Sequence, residues 1–165
     1  MKISKNFSYE EVTHSDTAIR RGLDNTPGTK EVIALVSLIQ ICMQKIRDHY
    51  GRVVTCTSGF RSVETSEAVG SSGRSQHCRG QAMDWKILGL DNMEVLSTVP
   101  KIVPTFDQLI LEFYNENLGI NSGWIHLSYN GVGENREQVL RSFRKDGETV
   151  YEPLDLTEIY ATKNT

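Results

Sequence analysis

The stretch SQHCRGQAMDW (residues 75–85) holds a histidine, His77, and an aspartate, Asp84, seven positions apart. Gly80 stands between them and permits a sharp entry from a loop into a strand. In that strand Ala82 and Asp84 point to one face, and the alternate residues point to the other. The spacing predicts half of a metal site, with one ligand on a loop and one on a strand. A third ligand must come from elsewhere in the chain.

A third ligand is available in the stretch WIHLSY (residues 124–129). Alternation there predicts a strand that turns its two aliphatic residues into the core and His126 to the opposite face. With His77 and Asp84 this gives two histidines and one carboxylate, a set that zinc accepts with a fourth position left for water. Zinc makes water acidic enough to attack a carbonyl near neutral pH. The simpler interpretation is that a lone histidine in a strand is a core residue with satisfied hydrogen bonds.

Length and composition predict a single domain over residues 1–165 that needs no disulfide to form its core. The formal charge of −3, with Lys and Arg scattered, argues against a nucleic-acid partner. No apolar run approaches the length of a membrane span, so we expect no stable membrane association. The first six residues lack the apolar core of a secretory signal, and we therefore expect a cytoplasmic protein until something releases it.

Three cysteines, an odd number without framework spacing, are expected to be reduced thiols. Cys42 falls on the apolar side of a predicted helix and Cys56 within a predicted strand, which places both in the core. Cys78 stands beside His77, but adjacent residues on an extended loop tend to point apart. Cys78 is therefore the less favoured zinc ligand.

Hydrophobic periodicity predicts helices mixed with short strands. The helices are expected from Thr29 to His49 with Gly51 as the C-terminal cap, from Ser62 to Val69 and from Asp91 to about Val99, with short turns starting at Ser8 and Ser15. The strands are expected at Arg52–Thr57, Ala82–Ile87, Phe106–Tyr114, Trp124–Tyr129 and Gln138–Phe143. Residues 150–160 form a weakly specified end.

Three motifs carry a resemblance to a known family: SxHxxGxAxD at residues 75–84, SGFRS at 58–62 and GWIHLS at 123–128. The chain resembles the zinc D-alanyl-D-alanine carboxypeptidases, which include vancomycin-resistance dipeptidases and phage L-alanyl-D-glutamate endopeptidases. It is most similar to the short phage-type branch, in which SDTAIRRGLDNTP (residues 15–27) also recurs. The likeness covers residues 7–145, and residues 146–165 stay weakly specified.

The resemblance implies an α+β fold with a small antiparallel sheet and helices packed on one side, shared with the Hedgehog signalling domain. It implies that His77, Asp84 and His126 bind zinc. Arg61 matches the arginine expected to hold the substrate carboxylate or the oxyanion, and its alternative role is a surface salt bridge. Ser75 is expected to orient the loop or touch substrate, with a simple capping role as the alternative.

One position departs from the family pattern. Typical members place a glutamate three residues before the second histidine as the general base, and Gly123 stands there in this chain. If strands 106–114 and 124–129 form an antiparallel pair, Glu112 shares the face of His126, and directly opposed Cβ atoms are about 5 Å apart. Glu112 is therefore the predicted base, or else a partner that holds the His126 tautomer. Glu116 is a weaker candidate.

Two tryptophans flank the predicted ligands. Trp85 and Trp124 can each wall a cleft, although core packing is the favoured role for both.

Two classes of function follow. The first is a zinc metallopeptidase that cuts bacterial peptidoglycan stem peptides, as a phage or prophage lysis enzyme that waits in the cytoplasm and acts at the cell wall. The second is a non-catalytic zinc module of the same fold, for example in a phage tail. Whether a carboxypeptidase or an endopeptidase is expected depends on the loops at residues 70–76 and 115–122.

Overall fold

A six-stranded sheet forms the centre of the fold, and the computed structural model describes residues 1–157 of the chain. The strands are β1 (Thr55–Ser58), β2 (Ala82–Lys86), β3 (Gln108–Glu112), β4 (Trp124–Ser128), β5 (Gln138–Lys145) and β6 (Glu148–Pro153). They lie in the order β1-β2-β4-β3-β5-β6. Neighbours run antiparallel except β3 and β5, which are parallel. The predicted α+β fold is confirmed, with one parallel pair in a mostly antiparallel sheet.

Helices precede and interrupt the strands. They are α1 (Tyr9–Thr13), α2 (Asp16–Arg21), α3 (Thr29–Leu38), α4 (Gln44–Tyr50), α5 (Val63–Ala68) and α6 (Asn92–Ile102). A π-helical segment, Ile39–Met43, joins α3 to α4, and within it the Gln44 N–H donates to the Ile39 carbonyl five residues earlier. The long helix predicted over residues 29–49 is therefore present, and Gly51 ends it in the left-handed conformation.

The predicted helix starts are capped by serine side chains. The Oγ of Ser8 accepts from the Glu11 N–H, that of Ser15 from the Ala18 N–H, and that of Ser62 from the Thr65 N–H, each at 3.2 Å. An N-cap of this kind contributes about 1 kcal/mol to helix stability. These three short helices therefore begin where the sequence predicts.

One face of the sheet is apolar and packs against the helices. Its buried side chains are Met83, Trp85, Leu109, Leu111, Ile125 and Leu127, and they share one core cluster with Leu35, Leu38, Ile39, Met43 and Ile46 of the long helix and Val95, Leu96 and Val99 of α6. Trp85 is fully buried there, which is the role favoured for it from the sequence. Strand alternation leaves the opposite face to Asp84, Ile110, Glu112 and His126.

Several predicted boundaries are wrong. β1 begins at Thr55 instead of Arg52, and β5 continues to Lys145. The helix predicted to end near Val99 runs through Pro100 to Ile102. Proline lacks an N–H and removes one helical hydrogen bond, but the Val103 N–H still donates to the Val99 carbonyl at 2.8 Å. The helix therefore absorbs the proline within its last turn.

The strand predicted over residues 106–114 ends early because Phe113 has a φ of 52°. A positive φ is a strained conformation for a bulky side chain and interrupts the alternation of faces. The strict alternation of faces that a strand over residues 106–114 implies is therefore wrong at Phe113 and Tyr114. Tyr114 packs against the core and donates to Asp91 at the start of α6, whereas Phe113 lies on the polar face.

Residues 146–157 are better specified than their sequence suggests. β5 and β6 form an antiparallel hairpin whose turn, Asp146–Gly147, has positive φ at both residues. The parallel pairing of β3 with β5 attaches this hairpin to the sheet. Of the segment predicted as weakly specified, residues 158–165 lie outside the described residues.

Within residues 1–157, no helix has the length and apolar character that a membrane span requires.

Candidate metal centre and cleft

A short 3-10 turn, Gln76–Arg79, presents His77. The Oγ of Ser75 accepts from the His77 N–H at 3.3 Å, and Gly80 ends the turn with a φ of 66°. A Cβ at Gly80 would lie 2.3 Å from the carbonyl oxygen of Glu31, so helix α3 packs directly against the turn. Ser75 therefore orients this loop as a cap, and it also lines the cleft described below.

A backbone carbonyl fixes the tautomer of His77. Its Nδ1 lies 2.7 Å from the carbonyl oxygen of Gly59, which can only accept, so Nδ1 carries the hydrogen. Gly59 in turn lies against α1, where an added Cβ would be 2.0 Å from the carbonyl oxygen of Val12. The SGFRS motif thus has a packing role, because only glycine lets the chain approach α1 and offer its carbonyl to the imidazole.

Asp84 and His126 are direct partners in the antiparallel pairing of β2 with β4. The Oδ1 of Asp84 lies 2.9 Å from Nδ1 of His126 and 3.2 Å from Nε2 of His77. All three side chains are buried, and one ligand atom from each lies within 4.8 Å of the others. The two strands and the turn therefore bring together the three residues predicted to bind metal, and this assignment remains a prediction.

The donor set calls for a cation. Because Nδ1 of His77 carries the hydrogen, the neutral ring directs the Nε2 lone pair at an Asp84 oxygen 3.2 Å away, and two acceptors do not attract each other. Burial lowers the pKa of His77, which disfavours a proton at Nε2. Burial alone would raise the pKa of Asp84, whereas positive charge at His77 and a hydrogen bond with His126 lower it below its usual range, so the carboxylate calls for positive charge beside it. Two imidazole nitrogens and an ionised carboxylate therefore fit a bound metal ion.

Glu112 lies beside this set without belonging to it. Its carboxylate is 4.0 Å from Nδ1 of His126. In the sheet Glu112 pairs with Trp124, and His126 pairs with Ile110, so the predicted direct opposition of Glu112 and His126 is wrong although the shared face is right. Burial, with the charge of Asp84 added, raises the pKa of Glu112 to about 7.

Arg61 lies at the same site on the β1 side. Its backbone N–H donates to the His77 carbonyl at 3.3 Å, and its Nε is buried without a hydrogen-bond partner. Among the described residues Arg61 forms no ion pair, so the alternative role as a surface salt bridge does not hold there. The guanidinium is available to a ligand.

An open cleft of about 660 Å³ has these residues as its floor. Trp124 lines the cleft, with its ring 5.3 Å from that of Phe113, so the favoured core role for Trp124 is wrong. Glu116 lies exposed in a separate 3-10 turn and does not line the cleft. The Cys78 thiol lies 3.9–4.0 Å from the carbonyls of Ser62 and Ser72, away from the metal ligands.

Other residues at the cleft carry no local sequence signal. Gln76 donates to Asp107 at 2.9 Å, and the fully buried Asp107 also accepts from Arg136. This network attaches the turn that carries His77 to the start of β3. The hairpin adds Arg144 and Tyr151 to the cleft wall. These contacts join segments far apart in the chain, and no local motif marks them.

Two buried histidines and a buried carboxylate that could together hold a metal ion lie at the floor of an open cleft, with the Glu112 carboxyl group beside them. Residues 5–128, more than half of the chain, match the family model described as peptidase M15. The chain belongs to the peptidase M15 family and is a metallopeptidase, which confirms the resemblance to the zinc D-alanyl-D-alanine carboxypeptidases. A search of the curated proteins finds no match.

Proposed function

We propose that the protein is a zinc peptidase that hydrolyses peptide bonds in bacterial peptidoglycan stem peptides. The observation that carries this proposal is the Glu112 carboxylate, 4.0 Å from Nδ1 of His126 and with a pKa raised to about 7. A general base works best when its pKa lies near the operating pH. Glu112 meets that condition and is the nearest candidate to the metal ligands.

The metal would be held by Nε2 of His77, Oδ1 of Asp84 and Nδ1 of His126, the atoms that converge at the site. When bound, zinc supplies Lewis acidity, which makes water more acidic and polarises a carbonyl. The Gly59 carbonyl keeps His77 in the tautomer that offers Nε2. Burial of the three side chains excludes bulk water from them.

Glu112 moves the proton in the proposed reaction. Its carboxylate takes a proton from the attacking water as the new C–O bond forms to the amide carbon. It then gives that proton to the amide nitrogen as the C–N bond breaks, so that a carboxylic acid and an amine leave. Among the described residues the Glu112 carboxylate accepts no short hydrogen bond, which leaves both oxygens free for this transfer.

Arg61 binds negative charge in this scheme. Its guanidinium, whose Nε has no hydrogen-bond partner within residues 1–157, lines the cleft beside the metal ligands and can stabilise the oxyanion or hold a substrate carboxylate. The hydrogen bond from the Arg61 backbone to the His77 carbonyl fixes the point from which this side chain enters the cleft. Ser75 acts on the reaction through the loop that it caps.

The biological setting is part of the proposal. A role in phage or prophage lysis places the protein in the cytoplasm until release and at the cell wall afterwards. The partner is the stem peptide, and no nucleic acid or stable membrane association is involved. The alternative, a non-catalytic zinc module, had its basis in the glycine at position 123, and the carboxylate of Glu112 at the site favours the catalytic proposal.

The experiment is a digestion of purified peptidoglycan by the protein loaded with one equivalent of zinc. We expect new amino groups, with mass spectrometry of the fragments identifying the bond. Glu112→Gln is the matched inactive variant, since it removes the base and keeps the shape. If the protein binds one equivalent of zinc but releases no amino groups from peptidoglycan or from stem peptides, the proposal is contradicted and the non-catalytic module is favoured.

A further inference from the structure

The hairpin of β5 and β6 forms the cleft wall opposite Arg61. Arg61 follows β1 at one end of the strand order, whereas Arg144 and Tyr151 lie on β5 and β6 at the other. The metal ligands and Glu112 lie on the strands between them. This hairpin follows residue 128, where the match to the peptidase family ends.

The pairing of strands fixes what this wall presents. Glu112 pairs with Ser142 on β5, and Ser142 pairs with Tyr151 on β6, so the tyrosine shares the face of Glu112 across one small residue. Arg144 is two residues further along β5 and pairs with Thr149. From strand spacing and rise, the Cα of Arg144 lies about 8 Å from that of Glu112.

An aromatic ring, instead of a carboxylate, supports the guanidinium of Arg144. The guanidinium carbon lies 5.6 Å from the centre of the Phe113 ring, and that ring packs against Trp124. Phe113 reaches this position only through its strained φ of 52°. Stacking holds an arginine by its face and leaves the N–H groups at its edge free.

The N–H groups of the Arg144 guanidinium have few hydrogen-bond partners among the described residues. Within residues 1–157 its side chain donates one hydrogen bond, to the carbonyl of Gly147 at 3.4 Å, and forms no ion pair. By contrast, Arg136 in the same cleft is paired with Asp107, and Arg141 on the same strand is paired with Glu152. Thr149 and Tyr151 add two hydroxyl groups next to it. The phenol stays protonated near neutral pH because burial and the charges of Glu112 and Asp84 raise its pKa.

We propose that Arg144, with the hydroxyls of Thr149 and Tyr151, forms a carboxylate-binding subsite on the hairpin side of the cleft. The substrate is then an acidic peptide that continues past the cleaved bond on both sides, with one carboxylate near Arg61 and another at Arg144. Arg61 follows β1, and from β1 to β5 there are four strand spacings, about 19 Å, which is the length of about six extended residues. This inference rests on the proposed peptidase function.

The test compares peptides that differ only in one carboxylate. Two amidated forms of an acidic stem peptide are made, each with a different one of its carboxylates replaced by a carboxamide. We expect one amidation to raise KM ten- to hundredfold for the unmodified protein, the loss expected for one charge-assisted contact. Arg144→Gln should raise KM for the acidic peptide by the same factor. For this variant, amidation of the same carboxylate should raise KM no further.

Arg141→Gln is the matched control, because it removes the same charge from the same strand but lies outside the cleft. We expect Arg141→Gln to keep the KM of the unmodified protein for the acidic peptide. The ratio of the KM values for the acidic and the amidated peptides, the acid-to-amide ratio, should also stay unchanged. Tyr151→Phe should raise KM for the acidic peptide by a smaller factor than Arg144→Gln does. An unchanged acid-to-amide ratio in Arg144→Gln, or an equal loss in Arg141→Gln, would overturn the subsite.

Binding separates this inference from the proposed function. Calorimetry of the zinc-loaded Glu112→Gln variant measures the same peptides without hydrolysis. If the unmodified protein cuts no peptide, the proposed function fails, and a carboxylate preference in binding that Arg144→Gln removes still supports the subsite. Equal binding of the acidic and amidated peptides would overturn the subsite even in an active enzyme.

Discussion

The carboxylate of Glu112 lies diagonally across the sheet from His126, 4.0 Å from its Nδ1, because Glu112 is paired with Trp124 and His126 with Ile110. Diagonal positions on a sheet face are about 7–8 Å apart, farther than directly opposed positions such as those of Asp84 and His126. Asp84 therefore holds the imidazole at 2.9 Å, and Glu112 is left free beside it. Because of this offset, we propose that Asp84 binds the metal and that Glu112 acts as the general base.

Glu112→Gln tests the assignment of the general base. We expect kcat to fall by about 10²- to 10⁴-fold, the usual contribution of general-base catalysis, with zinc content unchanged. Amino-group release and metal analysis measure the two quantities. Glu116→Gln is the control, because Glu116 is exposed in a turn outside the cleft. A fall of less than tenfold in Glu112→Gln, or an equal fall in Glu116→Gln, would contradict the assignment.

The pKa of Glu112 predicts a pH dependence. Burial raises it to about 7, and a base must be deprotonated, so kcat/KM should rise with pH along an acidic limb and level off above it. In the metal-free protein, carboxyl NMR should show one glutamate titrating near pH 7 that is absent in Glu112→Gln. Zinc should move that midpoint downward, since a nearby positive charge favours the carboxylate. A midpoint near 4.5 without metal would show that burial does not act as described.

Metal binding should stabilise the fold through His77. Zinc at 100 times its Kd should raise the free energy of unfolding by about 2.7 kcal/mol, and a chelator should reverse this gain. His77→Ala removes a ligand and should abolish the zinc-dependent shift in thermal unfolding. The control is His49→Ala, because His49 is exposed and remote from the metal ligands. A zinc-dependent shift that survives His77→Ala would count against this ligand.

Gly123 should not accept the glutamate found there in typical family members. Its φ is 61°, and a Cβ would lie 2.0 Å from the carbonyl oxygen of Glu112. We expect Gly123→Glu to lose about 3 kcal/mol of stability in urea unfolding, from backbone strain and overpacking together. Gly119→Ala should lose less, because Gly119 has a positive φ but open space around it. Activity restored to Glu112→Gln by adding Gly123→Glu would show that the base can occupy either position.

The half-sites could be predicted because their information is local. The two-residue period of a strand places Asp84 and His126 on the polar face, whatever the rest of the chain does. The same period predicted that Glu112 shares their face. It could not give the register, which depends on how β3 slides along β4, and the direct opposition of Glu112 and His126 was therefore wrong.

Longer-range features of the site had no local signal. The contact of His77 with Gly59 is made by a backbone carbonyl, which is the same for every residue type. Phe113 turns into the cleft because its φ is positive, and nothing in the residue type indicates that. The parallel pairing of β3 with β5 joins segments separated by the whole of β4, so Arg144 could not be placed.

The parallel pairing of β3 with β5 makes the cleft a product of two separable stretches of chain. Residues 5–128 carry the metal ligands and Glu112, and the hairpin that faces them reaches the sheet through a single connection at residues 129–137. A recombination or a designed graft after residue 137 would replace one wall of the cleft, keep the pairing of Arg136 with Asp107, and leave the metal centre intact. Variation in peptide preference could thus arise at one junction, independently of the chemistry.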